Sequence, residues 1–205
     1  MLALLFVVAV AAATALAWAA APLGAWWLHR AARFDEEIAW LEDLRGVLPF
    51  GAALDPLLDA RRRERVEREL RAGRVDRAVQ GMRAARAALA ARRAHDPALV
   101  PLGLETYTRA ADRMARHGRR DRAADWNDTL FVFAVRDPDE NARRQAAAAF
   151  LEGLDLRVQD GRPCAALARL RWAERGLGGL VPGMPPGLAE ELEARCAASR
   201  ARAAR

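Results

Sequence analysis

The pattern of apolar and polar positions changes character twice along the chain. From Leu2 to Leu28 no residue is charged, and the apolar positions leave no polar face. At about 1.5 Å of rise per residue, a helix over Leu2–Ala21 alone crosses the roughly 30 Å hydrocarbon core of a bilayer. Pro22 and Gly24 mark a kink in that helix or its end. Trp26 and Trp27 follow where an interfacial aromatic belt would lie, then His29, Arg30 and Arg33. From Phe34 the pattern is amphipathic: Phe34, Ile38, Leu41 and Leu44 share a stripe that continues the first helix or lies along the surface, and Leu48-Pro49-Phe50-Gly51 breaks it.

After Asp55-Pro56, a helix-start signal, apolar residues recur at helical spacing in a series of segments. The first, highly charged, buries only Leu57, Leu58, Val66 and Leu70. Ala78, Met82, Ala85 and Leu89 line its partner. Leu104, Tyr107, Ala111 and Met114 face Ala123, Trp126, Leu130 and Phe133. Ala147, Phe150, Leu154 and Val158 face Ala166, Leu170 and Ala173. Each pair is divided by a similar turn: Gly73-Arg74-Val75-Asp76, Gly118-Arg119-Arg120-Asp121 and Gly161-Arg162-Pro163-Cys164. The glycines are 45 and 43 residues apart, and each is followed five positions later by alanine. Glycine can take the left-handed conformation that closes a helix, and Asp76, Asp121 and Pro163 suit a first helical turn.

The stretch Ala72-Gly73-Arg74-Val75-Asp76-Arg77-Ala78-Val79, with Ala85 downstream, resembles the turn and second helix of a tetratricopeptide repeat. Gly161 to Ala173 is similar, and Pro97 and Pro138 end units as that family's terminal proline does. The resemblance covers roughly 56–176. It departs from the family in its longer period, in Val66 where the first helix would carry a small residue, and in Asn127 on an inner face. It implies an α-solenoid of about three antiparallel hairpins whose groove binds peptides or helices of other proteins.

A glycine- and proline-rich loop, Gly176 to Gly187, precedes a final helix from about Leu188, with Leu188, Leu192 and Cys196 on one face and Glu190, Glu191 and Glu193 on the other. This is the pattern of a capping helix. The expected architecture is therefore all-α: a transmembrane anchor (1–29), a juxtamembrane amphipathic helix and linker (30–54), a helical repeat domain (55–199) and a frayed tail (200–205).

Composition supports this reading. Alanine, leucine and arginine dominate, and the chain has one isoleucine, Ile38, and one tyrosine, Tyr107. Every one of the 33 basic residues is arginine, a bias that a GC-rich genome explains. Between Leu57 and Pro97 twelve arginines meet six acids, so the whole net charge of +6 lies in the first hairpin. Its exposed candidates are Arg83, Arg86, Arg92 and Arg93, a basic surface for anionic lipid headgroups or an acidic partner. No recognition motif or interleaved aromatic set accompanies this charge, so nucleic acid is not an expected partner.

The apolar start admits a second reading, a cleaved signal peptide, with Ala17-Trp18-Ala19 or Ala19-Ala20-Ala21 as the site. The uncharged beginning, the long apolar run and Pro22 after the second site favour an uncleaved anchor. Arg30, Arg33 and Arg45 after the span place the domain in the cytoplasm. Cys164 and Cys196 begin and end helices that would face each other. They are either a disulfide, implying an exported domain, or two buried thiols.

Little in the chain points to chemistry. His29, His95 and His117 are far apart, no phosphate loop or nucleophile elbow is present, and Asp137-Pro138-Asp139-Glu140 reads as a helix start. No catalytic residue, cofactor or metal site is expected. Tyr107, Trp126, Asn127 and Trp172 are the candidate partner-binding residues. The expected function is a membrane-anchored interaction or scaffold module with a protein partner at the membrane. The alternatives are a membrane-bound enzyme or its regulatory subunit, and a structural envelope spacer.

Overall fold

The computed structural model describes residues 2–31, 33–177, 179 and 181–204, and the backbone alone of 2–7, 9 and 17. The described residues are all-α, with no strand. The elements are α1 (Leu2–Arg30), α2 (Phe34–Val47), a 3-10 turn (Gly51–Leu54), α3 (Asp55–Arg71), α4 (Val75–Ala91), α5 (Leu99–Arg116), α6 (Arg120–Ala134), α7 (Glu140–Gln159), α8 (Pro163–Leu177) and α9 (Leu188–Ala203). The helix does not end at Pro22 or Gly24 but runs through both to Arg30. Proline removes only one intrahelical hydrogen bond there, and the missing side chain of Gly24 has a use described below. At the other end α9 stays helical to Ala203, within the stretch expected to fray.

The three glycine turns share one geometry. Gly73, Gly118 and Gly161 have φ of 70°, 71° and 73°. In each, the glycine N–H donates three residues back, and the next N–H donates five back: Arg74 to Glu69, Arg119 to Met114 and Arg162 to Arg157, at 2.8–2.9 Å. These paired bonds satisfy carbonyls that a helix end otherwise leaves bare. A fourth turn of the same form closes α4, with Arg93 at φ 52° in the glycine position and Ala94 donating to Leu89 at 2.9 Å. Nothing in the sequence announces it, since arginine carries no preference for that region.

Close approach between helices sets the packing. A Cβ on Gly81 of α4 would lie 2.9 Å from Val66 Cγ2 of α3. The small residue absent from the first helix is thus supplied by the second. Gly103 of α5 lies under the Phe133 ring of α6, and a Cβ on Gly153 of α7 would lie 3.1 Å from Asn127 Cβ of α6. One buried cluster joins Val66, Met82, Tyr107 and Leu130, and a second joins Phe131, Phe150, Leu154, Leu170 and Leu192. The periodic stripes of the sequence form these cores.

The helix α2 neither extends α1 nor lies apart from it. It folds back along α1, with Trp40 against Gly24, where a Cβ would come within 2.5 Å of the indole. Ala21 and Ala25 are thereby buried, and Ile38, Leu41 and Leu58 complete this core with Trp18 at its edge. The other side of α2 meets α3 through ion pairs: Glu42 with Arg62 at 2.6 Å, Asp35 with Arg65 at 2.7 Å, and the fully buried Glu37 with Arg61 at 2.6 Å. His29 closes this last contact, with its ring nitrogens 3.4 Å from Glu37 and 3.5 Å from Glu64.

At the C-terminus Cys164 and Cys196 form a disulfide that ties α9 to α8, settling the choice the sequence left open.

Two measurements test this description. Substituting Gly118→Ala places a Cβ at positive φ and lowers stability by about 1–2 kcal/mol, whereas Arg93→Gly leaves stability unchanged or raises it by up to about 1 kcal/mol. Urea titrations in mild detergent read both, and equal effects of the two changes would be inconsistent with the shared turn. The second concerns pH. The hydrogen bond from Arg45 holds the Asp55 carboxyl below the usual aspartate value of about 3.9. Its contribution is therefore fully present above that value and lost as pH falls through the lower, folded one. Asp55→Asn lowers stability at pH 7 and flattens its decline between about pH 4 and 2.

Candidate functional site

Two of the clefts on the helical domain share no lining residue. The larger, about 820 Å³, lies between the N-terminal halves of α5 and α7. Pro97, Val100, Pro101 and Leu104 form an apolar wall, while Glu105, Arg109, Asn141 and Gln145 supply polar edges. Arg109 is fixed there by a 3.0 Å hydrogen bond to the Leu70 carbonyl and an ion pair with Glu105 at 2.6 Å. The N-terminus of α7 is capped by Asp139, which accepts from the Asn141 N–H at 3.0 Å.

The smaller cleft, about 540 Å³, is lined by arginine from separate elements: Arg86 of α4, Arg157 of α7, Arg162 of the turn and Arg169 of α8. At its base is Asp128 of α6, buried and held by Arg157 Nη2 at 2.6 Å and Arg169 Nε at 2.6 Å. Arg157 is itself buried and also donates to Asp125 and to the Gly153 carbonyl. Burial pushes the Asp128 carboxyl above its ordinary value, and the two guanidinium groups oppose that shift. Two of the arginines rest on aromatic faces: Arg86 on Phe133, 4.8 Å from the ring centre, and Arg169 on Trp172, 3.9 Å from it.

The residues singled out from sequence fall in different places. Tyr107 is not on a surface. It is 1% exposed, packed between Trp126 and Phe133, because its stripe of α5 faces the core. Trp126 is half-buried, stacked on Tyr107, with Arg83 on its ring at 5.2 Å. Asn127 is buried against Gly153, and its Nδ2 has no hydrogen-bond partner among the described residues. Trp172 is 38% exposed beside the arginine cleft. Of the basic set, Arg92 is no surface residue: it pairs with Asp55 at 3.0 Å and Asp59 at 2.6 Å inside the first hairpin. Arg93 occupies the positive-φ turn, and Arg83 and Arg86 cover aromatic rings. Sequence reasoning did not bring Asp128, Arg157, Arg162 and Arg169 together as a set. The signals were Asp128 beside Asn127, Arg162 in the third glycine turn and Arg169 three residues before Trp172.

The described residues include no group of three or more histidine, cysteine or carboxylate side chains arranged to hold a metal ion. Comparison with protein families, with curated proteins and with solved structures finds no match.

Removing the Asp128 charge leaves Arg157 buried against a weaker counter-charge, since Asp125 is mostly exposed. Asp128→Asn is expected to cost about 3–5 kcal/mol. Arg169→Gln, at a half-exposed position, is expected to cost under about 1 kcal/mol. Denaturant midpoints compare the two, and a similar loss from both would contradict a buried Asp128–Arg157 core to the cluster.

Proposed function

We propose that the chain is a membrane-anchored protein–protein interaction module built of tetratricopeptide-like hairpins. The observation that carries the reading is the 820 Å³ cleft between α5 and α7. Its apolar wall with polar edges is the kind of surface that takes a peptide or helix from a partner. The order of helix contacts supports stacking of the hairpins. The first helices α3, α5 and α7 touch in series, whereas α4, α6 and α8 make no direct backbone approach to one another. Stacked hairpins have this stagger, and it gathers the first helices into one continuous surface.

Support for the anchor comes from α1, the one described helix long and apolar enough to cross a membrane. Leu16, Leu23, Trp26 and Trp27 form an uncovered apolar stripe, each more than half exposed. The return of α2 limits how the helix sits. α2 docks on α1 near Trp18, Gly24 and Ala25 and carries Asp35, Glu36, Glu42 and Asp43 exposed to water, so that part of α1 does not enter hydrocarbon while α2 is docked. The preceding part of the helix, residues 2–17, spans about 24 Å. It inserts with the bilayer locally thinned, or α2 swings away to lengthen it. For sidedness the reading follows the disulfide, which favours an oxidising compartment, over the arginines after the span.

Site-specific photo-crosslinkers at Thr108, lining the cleft, and at Glu152, exposed on α7 outside it, test the function in intact cells. A discrete adduct from Thr108 alone is expected, together with retention of the chain in carbonate-washed membranes. No adduct, or the same adducts at both positions, would end the interaction reading. Release by carbonate would end the anchor. Thiol labelling of denatured protein without reductant reads the compartment: unlabelled cysteines are expected.

A further inference from the structure

We propose that the arginine cleft between α4, α6 and α8 is a second docking site, specific for an acidic segment of a protein partner. The inference goes beyond the anchored module, because this cleft shares no residue with the α5–α7 surface.

The charge is the first argument. Four guanidinium groups face two carboxylates, Asp125 and Asp128, in one open cleft. Most arginines elsewhere in the first hairpin are consumed by fixed partners: Arg61, Arg62, Arg63, Arg65, Arg71, Arg74 and Arg92 all pair with carboxylates. In the cleft, Asp128 consumes Arg157 and the Nε of Arg169. Arg86 and Arg162 have no ion pair among the described residues, and the hydrogen bond from Arg169 to Asp128 uses its Nε. The cleft therefore retains positive charge after its internal pairs are formed.

The second argument is how the cations are held. A guanidinium held over an aromatic ring is restricted in position while keeping N–H groups able to donate. Arg86 lies over Phe133 and Arg169 over Trp172, 4.8 and 3.9 Å from the ring centres, and Asp128 further orients Arg169. Little side-chain freedom remains to be lost when a carboxylate accepts from either, so such bonds strengthen binding rather than offset ordering.

The third argument chooses the ligand. The unpaired donors belong to separate elements, Arg86 to α4 and Arg162 to the turn before α8. Apolar surface accompanies them: Val132 is 50% and Trp172 38% exposed. A small anion would make no use of the apolar surface. An extended segment with two or more carboxylates and an apolar residue among them matches all of these features.

The test uses the purified chain in mild detergent with fluorescein-labelled peptides. The first is a nonapeptide of alternating glutamate and leucine, and the second has glutamine in place of glutamate. Saturable binding of the first and not the second is expected, weakening with added salt. The double variant Arg86→Gln/Arg162→Gln weakens binding about tenfold or more, since each lost charge-assisted hydrogen bond accounts for roughly that factor. Arg119→Gln is the control. Arg119 occupies the same place in the preceding glycine turn as Arg162, is equally exposed, and does not line the cleft. Circular dichroism checks that the variants fold. No saturable binding overturns the proposal, as does an equal loss in Arg119→Gln, which would mean attraction to arginine in general. Pyrophosphate binding tighter than the peptide and displacing it would replace the segment with a small anion. None of these outcomes bears on crosslinking from Thr108 or on membrane retention, so the two readings fail separately.

Discussion

The arrangement of this chain rests on helices coming closer than a Cβ allows. Four contacts share the device: Gly24 with Trp40, Gly81 with Val66, Gly103 with Phe133 and Gly153 with Asn127. A glycine inside a helix costs about 0.5–1 kcal/mol relative to alanine, and each here recovers that through contact. The contacts also decide which helix carries bulk. In the first hairpin the large residue is on the first helix, and in the second it is on the second. One spacing is thus met by complementary substitutions.

That complementarity accounts for what could be read from sequence. The stripes through Leu89, Leu130, Leu154 and Leu170 were legible because burial on a helix imposes a local period. So were the three glycine turns, because positive φ selects glycine. The turn at Arg93 was not, because an arginine forced into that geometry leaves no trace in the residue type. Nor was the return of α2 along α1, which depends on Gly24 and Trp40, sixteen residues apart and unremarkable individually. The spacing already placed Tyr107 on the core stripe of α5, and its choice as a partner-binding residue ran against that spacing.

The arginine cleft was hidden for another reason. Arg86, Asp128, Arg157 and Arg169 come from four helices, and in a chain whose every basic residue is arginine each looks ordinary. Net charge over a window proved a poor guide as well. The first hairpin carries the formal excess, yet α2 supplies Asp35, Glu37 and Glu42 to its arginines from outside that window. Positive charge that stays available depends on which cations lie beyond reach of a carboxylate, and that is a property of the fold.

The disulfide between Cys164 and Cys196 has a mechanical consequence. A pull on the C-terminus of α9 enters the covalent frame at Cys196 and passes directly to Cys164, by-passing the 31 residues between them. Residues 165–195 then bear no tension along their backbone, so the loop through Gly183 and Gly187 cannot be drawn out by force. Any load between a membrane at the N-terminus and a tether at the C-terminus falls on the seven helices from α1 to α7. The buried contact of Glu37 with Arg61 and His29 is the first joint in that line.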